Sequence, residues 1–334
     1  MRVIIEKTYD DLSLWVATYI MKKINSCQKK YFVLGLPTGS TPLLTYKYLI
    51  KFNQEKLVSF QDVITFNMDE YVNLDPNHEQ SYSYFMYHNF FNHIDIKKEN
   101  INLLNGNAND LKLECGNYEN KIKSYGGIDL FLCGIGSDGH IAFNEPGSSF
   151  ESETRIKTLC EETISDNSRF FNDISMVPKQ ALTVGLKTIS GSKEIIIMAN
   201  GLKKANAIRE CIEGSISNQF TCTIAQMHKK AIVIIDEKAT NELKVKTFNY
   251  YKNLQKNLDL FGDPIKDKVS EIIKYDDKIM ITSPHPDDDI IGCGGIMQLF
   301  PNKSNVKICY MSDGSGGVKN KNINRINEAI SSIK

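Results

Sequence analysis

The chain has 334 residues, a length typical of one large domain or two smaller ones. Its 40 basic and 40 acidic residues cancel and form no cluster of one sign, so nothing in the charge supports a nucleic-acid or membrane-surface role. The eight cysteines form no CxxC pair, and the amphipathic N-terminal segment has neither an apolar signal core nor a transmembrane run. These features predict a soluble, cytoplasmic, globular protein with reduced thiols.

Helix and strand signals alternate along residues 1–258. Apolar residues between Leu12 and Ile24 recur on one face of an amphipathic helix, and residues 31–36 form an apolar run of strand length, followed by a helix through about Phe52. This alternation predicts an α/β fold with a mainly parallel sheet and helices on both faces. Further strands are predicted at residues 63–66, 129–133, 194–198 and 231–235, with helices such as 202–212 and 241–258 between them.

The pattern weakens after Leu258, through Phe-Gly-Asp-Pro and a stretch rich in lysine and aspartate. We therefore predict a first domain at residues 1–260 and a linker at 261–277. A new strand at residues 278–282 begins a partial second α/β unit, which extends over residues 278–334.

Residues 134–146 concentrate three ionisable side chains directly after the predicted strand at 129–133. A buried strand that stops at a glycine-rich turn projects the next polar side chains from the sheet edge, where open α/β sheets bind ligands. The side chains are Asp138, His140 and Glu145, and carboxylates beside a histidine can orient its ring and raise its basicity. The pattern favours an acid–base site. The alternative is a polar loop that caps the following helix.

Residues 38–42, Thr-Gly-Ser-Thr-Pro, follow the strand at 31–36. Glycine lets the backbone approach an anion, hydroxyl groups add donors, and proline suits the first turn of a helix whose free amides face a phosphate. No Gly-Lys-Ser/Thr follows, so this is not a Walker A loop, and an ordinary turn is the alternative. Two cationic side chains, Arg169 and Lys204, would complete a phosphate pocket. The alternative is that each is a solvated charge on the surface. The candidate phosphate ligands are Thr38, Gly39, Ser40, Thr41, Arg169 and Lys204.

A pair of acids, Asp69 and Glu70, follows the predicted strand at 63–66. Such acids often cap the next helix. A half-buried carboxylate can instead have a raised pKa and act as a base toward a carbon-bound proton. The residue types alone leave both roles open.

Four motifs together resemble the glucosamine-6-phosphate deaminase family, in order and at the family's spacing over about residues 1–260. The resemblance implies a Rossmann-like α/β fold and the conversion of glucosamine 6-phosphate to fructose 6-phosphate and ammonia. It also implies that neither a metal nor an organic cofactor is needed. The motifs are residues 34–42, 65–71, 136–146 and 243–247.

The resemblance assigns a role to each candidate residue. His140, held by Asp138 and Glu145, would open the pyranose ring by moving a proton between the anomeric hydroxyl and the ring oxygen. Asp69 would then take the C2 proton and return it to C1 through an enolamine, and hydrolysis of the resulting ketimine releases ammonia. The phosphate would lie against residues 38–41 and the two cations named above.

Two other functions are compatible with the same fold. A phosphogluconolactonase shares a Gly-x-Asp-Gly-His loop, but it is not expected to carry Asn144-Glu145-Pro146 or the full run at residues 67–71. A non-catalytic sugar-phosphate sensor should have lost the catalytic carboxylates or gained a DNA-binding segment, and neither is seen here. Release of ammonia from glucosamine 6-phosphate distinguishes the three.

The resemblance also implies regulation. In hexameric family members, N-acetylglucosamine 6-phosphate activates by binding between subunits, and two cations with two hydroxyl groups suit its phosphate. The alternative is a surface loop whose charges serve solubility. The matching positions are Ser148, Ser149, Arg155, Lys157 and Tyr250.

Residues 281–289, Ile-Thr-Ser-Pro-His-Pro-Asp-Asp-Asp, resemble the start of the LmbE-like (PIG-L) zinc deacetylases. There, His285 and Asp288 would bind zinc and Asp287 would be the base acting on the metal-bound water. Position 289 is usually glutamate in that family and is aspartate here. No histidine follows His285 to supply a third ligand, so the tail is expected to be a truncated piece with an incomplete zinc motif and no activity.

Overall fold

The computed structural model describes residues 1–168, 171 and 173–259, together with two strands further along the chain, Ile279–Ser283 and Val306–Tyr310. The chain divides into two compact units, Met1–Lys252 and Asn253–Lys334. In the described part, every helix is too short or too polar to cross a membrane.

A seven-stranded sheet in which all neighbouring strands run parallel forms the centre of the larger unit, in the order β1-β10-β9-β6-β2-β3-β5. The described strands are β1 (Arg2–Glu6), β2 (Phe32–Leu36), β3 (Val63–Asn67), β4 (Asp69–Tyr71), β5 (Ile101–Asn102), β6 (Leu130–Cys133), β7 (Arg155–Thr158), β8 (Gln180–Thr183), β9 (Glu194–Ala199), β10 (Ala231–Asp236), β11 (Ile279–Ser283) and β12 (Val306–Tyr310). From β2 the chain proceeds toward β5 on one side, and from β6 toward β10 on the other. The crevice at the carboxyl ends of β2 and β6 is therefore the topological switch point where such sheets bind ligands.

The helices cover both faces of this sheet. They are α1 (Tyr9–Asn25), α2 (Leu43–Gln54), α3 (Tyr82–Asn89), α4 (Leu111–Ser124), α5 (Glu161–Ser168), α6 (Leu186–Ser190), α7 (Ala205–Glu213) and α8 (Val245–Asp259). Short 3-10 helices include Leu202–Lys204 and Thr221–Gln226. α1 begins with a capping box, because the Thr8 hydroxyl accepts the Asp11 N–H while the Asp11 carboxylate accepts the Thr8 N–H.

Alternating side chains of each strand supply two separate hydrophobic cores. In β6, Leu130 and Leu132 pack with buried residues of α1 and α2, whereas Phe131 and Cys133 pack with those of α4, α6 and α7. A central parallel strand needs apolar residues on both faces, which explains the continuous apolar runs in the sequence. The predicted α/β class, with a mainly parallel sheet and helices on both faces, is confirmed.

A small antiparallel sheet, β4-β8-β7, lies beside the carboxyl ends of the main strands. β4 pairs Asp69 with Thr183, and β7 pairs Arg155 with the same residue from the other side. No pattern in the sequence predicted this sheet. It joins the segment after β3 to the segment that carries the predicted activator positions.

Most predicted elements agree with the structure to within a few residues. β1, which the sequence pattern presented only as part of an amphipathic N-terminal segment, forms a strand at the edge of the sheet against β10. Further along, β11 and β12 pair in parallel, with Ile279 opposite Val306, and β11 matches the strand predicted at residues 278–282. The predicted linker at residues 261–277 lies outside the described residues.

Candidate active site

The carboxyl ends of β9, β6, β2 and β3 lie side by side along one edge of the sheet. The segments that follow them contain Lys204, residues 134–146, residues 37–42 and Asp69, respectively. Because parallel strands deliver their following loops to the same edge, the fold brings these four predicted site segments together. Arg169, the remaining predicted phosphate ligand, lies outside the described residues.

The loop between β2 and α2 has the donors that an anion needs. The backbone amides of residues 38–41 donate no hydrogen bond to any described residue. Gly39 has a φ of +95°, in the left-handed region that glycine occupies without steric cost. No side chain caps α2 at its N-cap residue, Pro42. Free amides at a helix N-terminus can bind an anion, so this geometry is compatible with the predicted phosphate site, which stays a prediction.

Asp69 is a buried carboxylate without a hydrogen-bond donor. It is 6% exposed, yet its Oδ1 atom has no hydrogen-bond partner among the described residues. Burial, together with the neighbouring charge of Glu70, raises the pKa of Asp69 well above its ordinary value. A carboxylate in this environment is a stronger proton acceptor than an exposed one, so Asp69 is suited to remove a proton from carbon.

Glu70, the next residue, is equally buried, and burial raises its pKa as well, but its carboxylate has donors. It accepts four hydrogen bonds of 2.8 to 3.0 Å, three of them from the N-terminus of α3 and one from the adjacent backbone. The sequence left open whether this pair of acids caps a helix or supplies a base. In the structure, Glu70 caps α3, whereas the Asp69 Oδ1 atom has no hydrogen-bond partner within the described part of the chain. The donors to Glu70 are the N–H groups of Tyr71, Tyr82 and Ser83 and the Ser81 hydroxyl.

After β6, His140 lies against the Asp138 carboxylate. His140 Nδ1 and Asp138 Oδ1 are 2.7 Å apart, in ion-pair contact at an angle too bent for a regular hydrogen bond. Burial alone would raise the pKa of Asp138, but the hydrogen bonding and charge of His140 outweigh it, and this pKa lies below its ordinary value. The other ring nitrogen, Nε2, has no partner in the described part of the chain. The ring is therefore held at one nitrogen and available at the other.

Gly136 lacks a side chain that would overlap the His140 ring. A Cβ atom at this position would overlap the His140 ring and lie 2.6 Å from Asp138 Oδ1. The glycine is therefore required by close approach of a side chain, rather than by an unusual φ angle.

Glu145 is directed away from His140. Its Oε1 atom accepts the Cys160 N–H at 2.9 Å and the Thr163 hydroxyl at 2.7 Å, and its Oε2 atom is 3.5 Å from Lys157 Nζ. Burial alone would raise the pKa of Glu145, but these donors and the lysine charge outweigh it and lower this pKa. The prediction that both Asp138 and Glu145 hold His140 is thus wrong in one respect, because the donors of the segment after β7 hold Glu145 instead.

Comparison with known proteins agrees with this geometry. The family of glucosamine-6-phosphate isomerases/6-phosphogluconolactonase matches residues 7–234. A glucosamine-6-phosphate deaminase from Phocaeicola vulgatus is 57% identical over 260 residues, which cover 77% of this chain and 99% of that protein. One from Bacteroides thetaiotaomicron is 58% identical over 259 residues, 76% of this chain and 96% of that protein. The chain belongs to this family.

Solved structures of family members have the same fold. A structure described as a monomeric glucosamine-6-phosphate deaminase superposes with a TM-score of 0.69 at 43% identity, over 72% of this chain and 99% of that one. The 6-phosphogluconolactonase from Trypanosoma brucei has a TM-score of 0.59 at 18% identity, over 73% and 98% of the two chains, which shows the fold alone.

Two of the positions predicted to bind an activator, Arg155 and Lys157, contact the loop at residues 134–146, which we call the active-site loop. The Arg155 guanidinium donates to Asn144 Oδ1 at 2.9 Å, and Lys157 forms the contact with Glu145. Ser148 is buried, and its hydroxyl has no partner among the described residues. The remaining positions are exposed: the Ser149 hydroxyl accepts the Glu151 N–H, and the Tyr250 side chain is on the surface of α8.

Two residues that were not predicted from the sequence hold the loop at residues 134–146, which carries His140. The Thr221 hydroxyl accepts the Ile141 N–H at 3.2 Å and lies 3.1 Å from the Asn144 carbonyl oxygen. The Cys222 N–H donates to the Gly139 carbonyl. Both residues belong to a 3-10 helix about eighty positions along the chain, and no local pattern marks them as partners of this loop.

The described residues contain no group of three His, Cys, Asp or Glu side chains placed to hold a metal ion. The predicted zinc positions His285 and Asp288 lie outside the described residues.

Proposed function

We propose that this protein converts glucosamine 6-phosphate and water to fructose 6-phosphate and ammonia. The observation that carries the proposal is the pairing of two different proton-transfer groups at one sheet edge. A buried carboxylate whose Oδ1 atom receives no hydrogen bond from the residues that the structure describes follows β3, and a histidine held by a carboxylate follows β6. The anion-binding loop after β2 lies between them in the strand order.

His140 performs the first step. Its ring moves a proton from the anomeric hydroxyl to the ring oxygen, which breaks the bond between C1 and that oxygen and gives the open-chain aldehyde. Contact with the Asp138 carboxylate fixes the ring orientation and stabilises the imidazolium form during transfer. The free amides at residues 38–41 bind the phosphate and thereby position C1 and C2.

Asp69 performs the second step. The carboxylate removes the C2 proton while the aldehyde oxygen takes a proton from the substrate's own ammonium group, which gives the neutral enolamine. The resulting carboxylic acid then returns its proton to C1, and the nitrogen lone pair forms the C2=N bond of a protonated imine. The product is an imine at C2. Water adds to the imine carbon, and the C–N bond breaks to release ammonia and the ketose.

The two alternative functions are not favoured. The similarity to the lactonase from Trypanosoma brucei is at 18% identity, whereas the deaminases named above are 57% and 58% identical. A non-catalytic sensor would have no need for a buried carboxylate without a donor, which costs stability in the folded state.

The experiment is an assay of ammonia and fructose 6-phosphate release from glucosamine 6-phosphate by the purified full chain. Equal amounts of the two products are expected without added metal, and also after treatment with a chelator. Hydrolysis of 6-phosphogluconolactone without ammonia release would instead identify a lactonase. Binding of sugar phosphate with no turnover of either substrate would identify a sensor.

We further propose that N-acetylglucosamine 6-phosphate activates the enzyme at Ser148, Ser149, Arg155, Lys157 and Tyr250. Arg155 and Lys157 contact Asn144 and Glu145 of the active-site loop, so a phosphate on these cations competes with both contacts. Release of Glu145 from Lys157 would let it turn to His140. Activation is a coupling between sites and should shift a sigmoidal substrate curve to lower concentration. Hyperbolic kinetics that do not respond to the activator would contradict this proposal.

We also propose that the protein is a homo-oligomer, by resemblance a hexamer, and that it is located in the cytoplasm. The exposure of Val245 and Tyr250 on α8 supports an interface there, because large apolar side chains are usually covered. The solved deaminase at 43% identity is described as monomeric, so light scattering of the purified chain is the deciding measurement.

For the tail we propose an LmbE-like segment at residues 278–334, joined by a linker at 261–277, without deacetylase activity. The parallel pairing of β11 with β12 supports the segment, because a strand and its next parallel neighbour begin such a fold. His285 and Asp288 alone fall short of the three protein ligands of a catalytic zinc. Acetate release from N-acetylglucosamine substrates with added zinc, lost in His285→Ala, would contradict the proposal.

A further inference from the structure

The first residue of α1, Tyr9, touches the loop that carries the free amides. Its hydroxyl oxygen is 3.0 Å from the Ser40 carbonyl oxygen and 2.9 Å from that of Thr41, and it accepts the Leu44 N–H at 3.3 Å. The hydroxyl thus shares its proton between two carbonyls and supplies the cap that no side chain near Pro42 gives to α2.

A second tyrosine holds the other end of the same loop. The hydroxyl of Tyr46, a fully buried residue of α2, donates to the Pro37 carbonyl oxygen at 2.5 Å. Three carbonyl groups of the loop therefore point toward tyrosine hydroxyls.

The orientation of these carbonyls determines where the amides point. In a planar trans peptide, the C=O and the next N–H point in opposite directions. With the Pro37 carbonyl directed at Tyr46, the Thr38 N–H points away from it. With the Ser40 carbonyl directed at Tyr9, the Thr41 N–H points away from Tyr9. Neither amide donates to any described residue, so both are left for a ligand.

We propose that Tyr9 is a positioning residue for phosphate recognition: its hydroxyl orients the Ser40–Thr41 peptide so that the loop amides face the substrate phosphate. Tyr9 acts through the carbonyl side of the loop and does not itself touch the phosphate. The inference rests on the proposed function, because it names how that site binds the sugar phosphate.

The chain offers a matched control. Tyr48 also bridges α1 and α2 through its hydroxyl, which contacts both oxygens of the Asp10 carboxylate at 2.9 Å. Tyr9→Phe and Tyr48→Phe each remove one hydroxyl from the same helix interface, but only Tyr9→Phe releases the loop.

The test measures KM and kcat for glucosamine 6-phosphate and the inhibition constant of inorganic phosphate in the wild type and both variants. Loss of one hydrogen bond should raise KM and the phosphate inhibition constant together by about fivefold to tenfold in Tyr9→Phe. We expect kcat to stay within about twofold, since the amides contact the phosphate equally in the ground state and the transition state, and losing such uniform binding raises KM alone. Tyr48→Phe should match the wild type.

Three outcomes would overturn the inference: an unchanged KM in Tyr9→Phe, an equal rise in Tyr48→Phe, or a fall in kcat without a rise in KM. If the wild type releases no ammonia, the proposed function fails, and the rise in melting temperature with inorganic phosphate still tests Tyr9. That rise should then be smaller in Tyr9→Phe than in the wild type and Tyr48→Phe. Equal stabilisation of all three proteins, or of none, would overturn the inference independently.

Discussion

The carboxylates after β3 and those after β6 are alike in the sequence and differ in their surroundings. Asp69 is buried, no described residue donates a hydrogen bond to its Oδ1 atom, and its pKa is raised. Asp138 and Glu145 face a histidine or a lysine and several donors, and their pKa values are lowered. One strand end thus provides a carboxylate able to accept a proton, and the other provides carboxylates that stay ionised. The surroundings of each carboxylate, rather than its residue type, set its pKa and therefore its role in catalysis.

The largest expected effect comes from removing the proton acceptor at the β3 end. Asp69→Asn should lower kcat by about a thousandfold with KM nearly unchanged, because the variant keeps the loop amides and loses a group that acts only in proton transfer. Steady-state ammonia release measures this effect. A variant within tenfold of the wild type would mean that another residue transfers the C2 proton.

At the β6 end, Asp138→Asn should lower kcat by about a hundredfold, since the His140 ring loses the contact that orients it and stabilises its charged form. The effect should be smaller than that of Asp69→Asn, because the ring itself remains. Turnover measurements at saturating substrate provide the check. An equal or larger loss than in Asp69→Asn would contradict the division of roles.

Gly136→Ala should lower kcat by about tenfold, because the added methyl group displaces the His140 ring. Gly134→Ala is the matched control: a Cβ atom there has no neighbour within 4 Å, and its φ angle is not positive. Turnover of the control should equal that of the wild type. If both variants lose activity to the same extent, loop rigidity rather than ring placement is responsible.

The smallest expected effect is on the stability of the folded protein. Replacing Asp69 should raise this stability, whereas replacing its neighbour Glu70 should lower it. Asp69 has a raised pKa in the folded state, so its stabilising contribution is present below the pKa of the unfolded chain and is lost as pH rises through the folded pKa. Asp69→Asn should therefore be more stable than the wild type by about 1–3 kcal/mol at pH 8, and the gain should disappear near pH 4.

Glu70→Gln should instead lower the melting temperature, because it weakens four hydrogen bonds, three from the N-terminus of α3 and one from the Tyr71 N–H. Thermal melts of both variants between pH 4 and pH 8 make the comparison. A melting temperature for Asp69→Asn below that of the wild type at pH 8 would show that its carboxylate has a partner in solution.

The sequence predicted the site segments that directly follow strands. It did not predict the contacts that side chains of these segments make with residues far away in the sequence. Apolar runs identified β2, β3 and β6, and parallel strands then require their loops to meet at one edge, so the site segments were predictable. The roles of Asp69 and Glu70 could not be told apart, because both are equally buried and their difference comes from the donors at the start of α3. The Lys157 contact with Glu145 depends on β7, a polar strand of a small antiparallel sheet with no apolar signal.

The division of roles between Asp69 and His140 is tested most directly by following two reactions of glucosamine 6-phosphate by proton NMR in D2O. Exchange spectroscopy measures interconversion of the α and β anomers, which requires ring opening, and loss of the C2 proton signal measures the later step. We expect Asp69→Asn to accelerate anomer interconversion as the wild type does while losing no C2 signal, and His140→Gln to accelerate neither. Loss of the C2 signal at the wild-type rate in Asp69→Asn, or anomer interconversion at the wild-type rate in His140→Gln, would contradict this division.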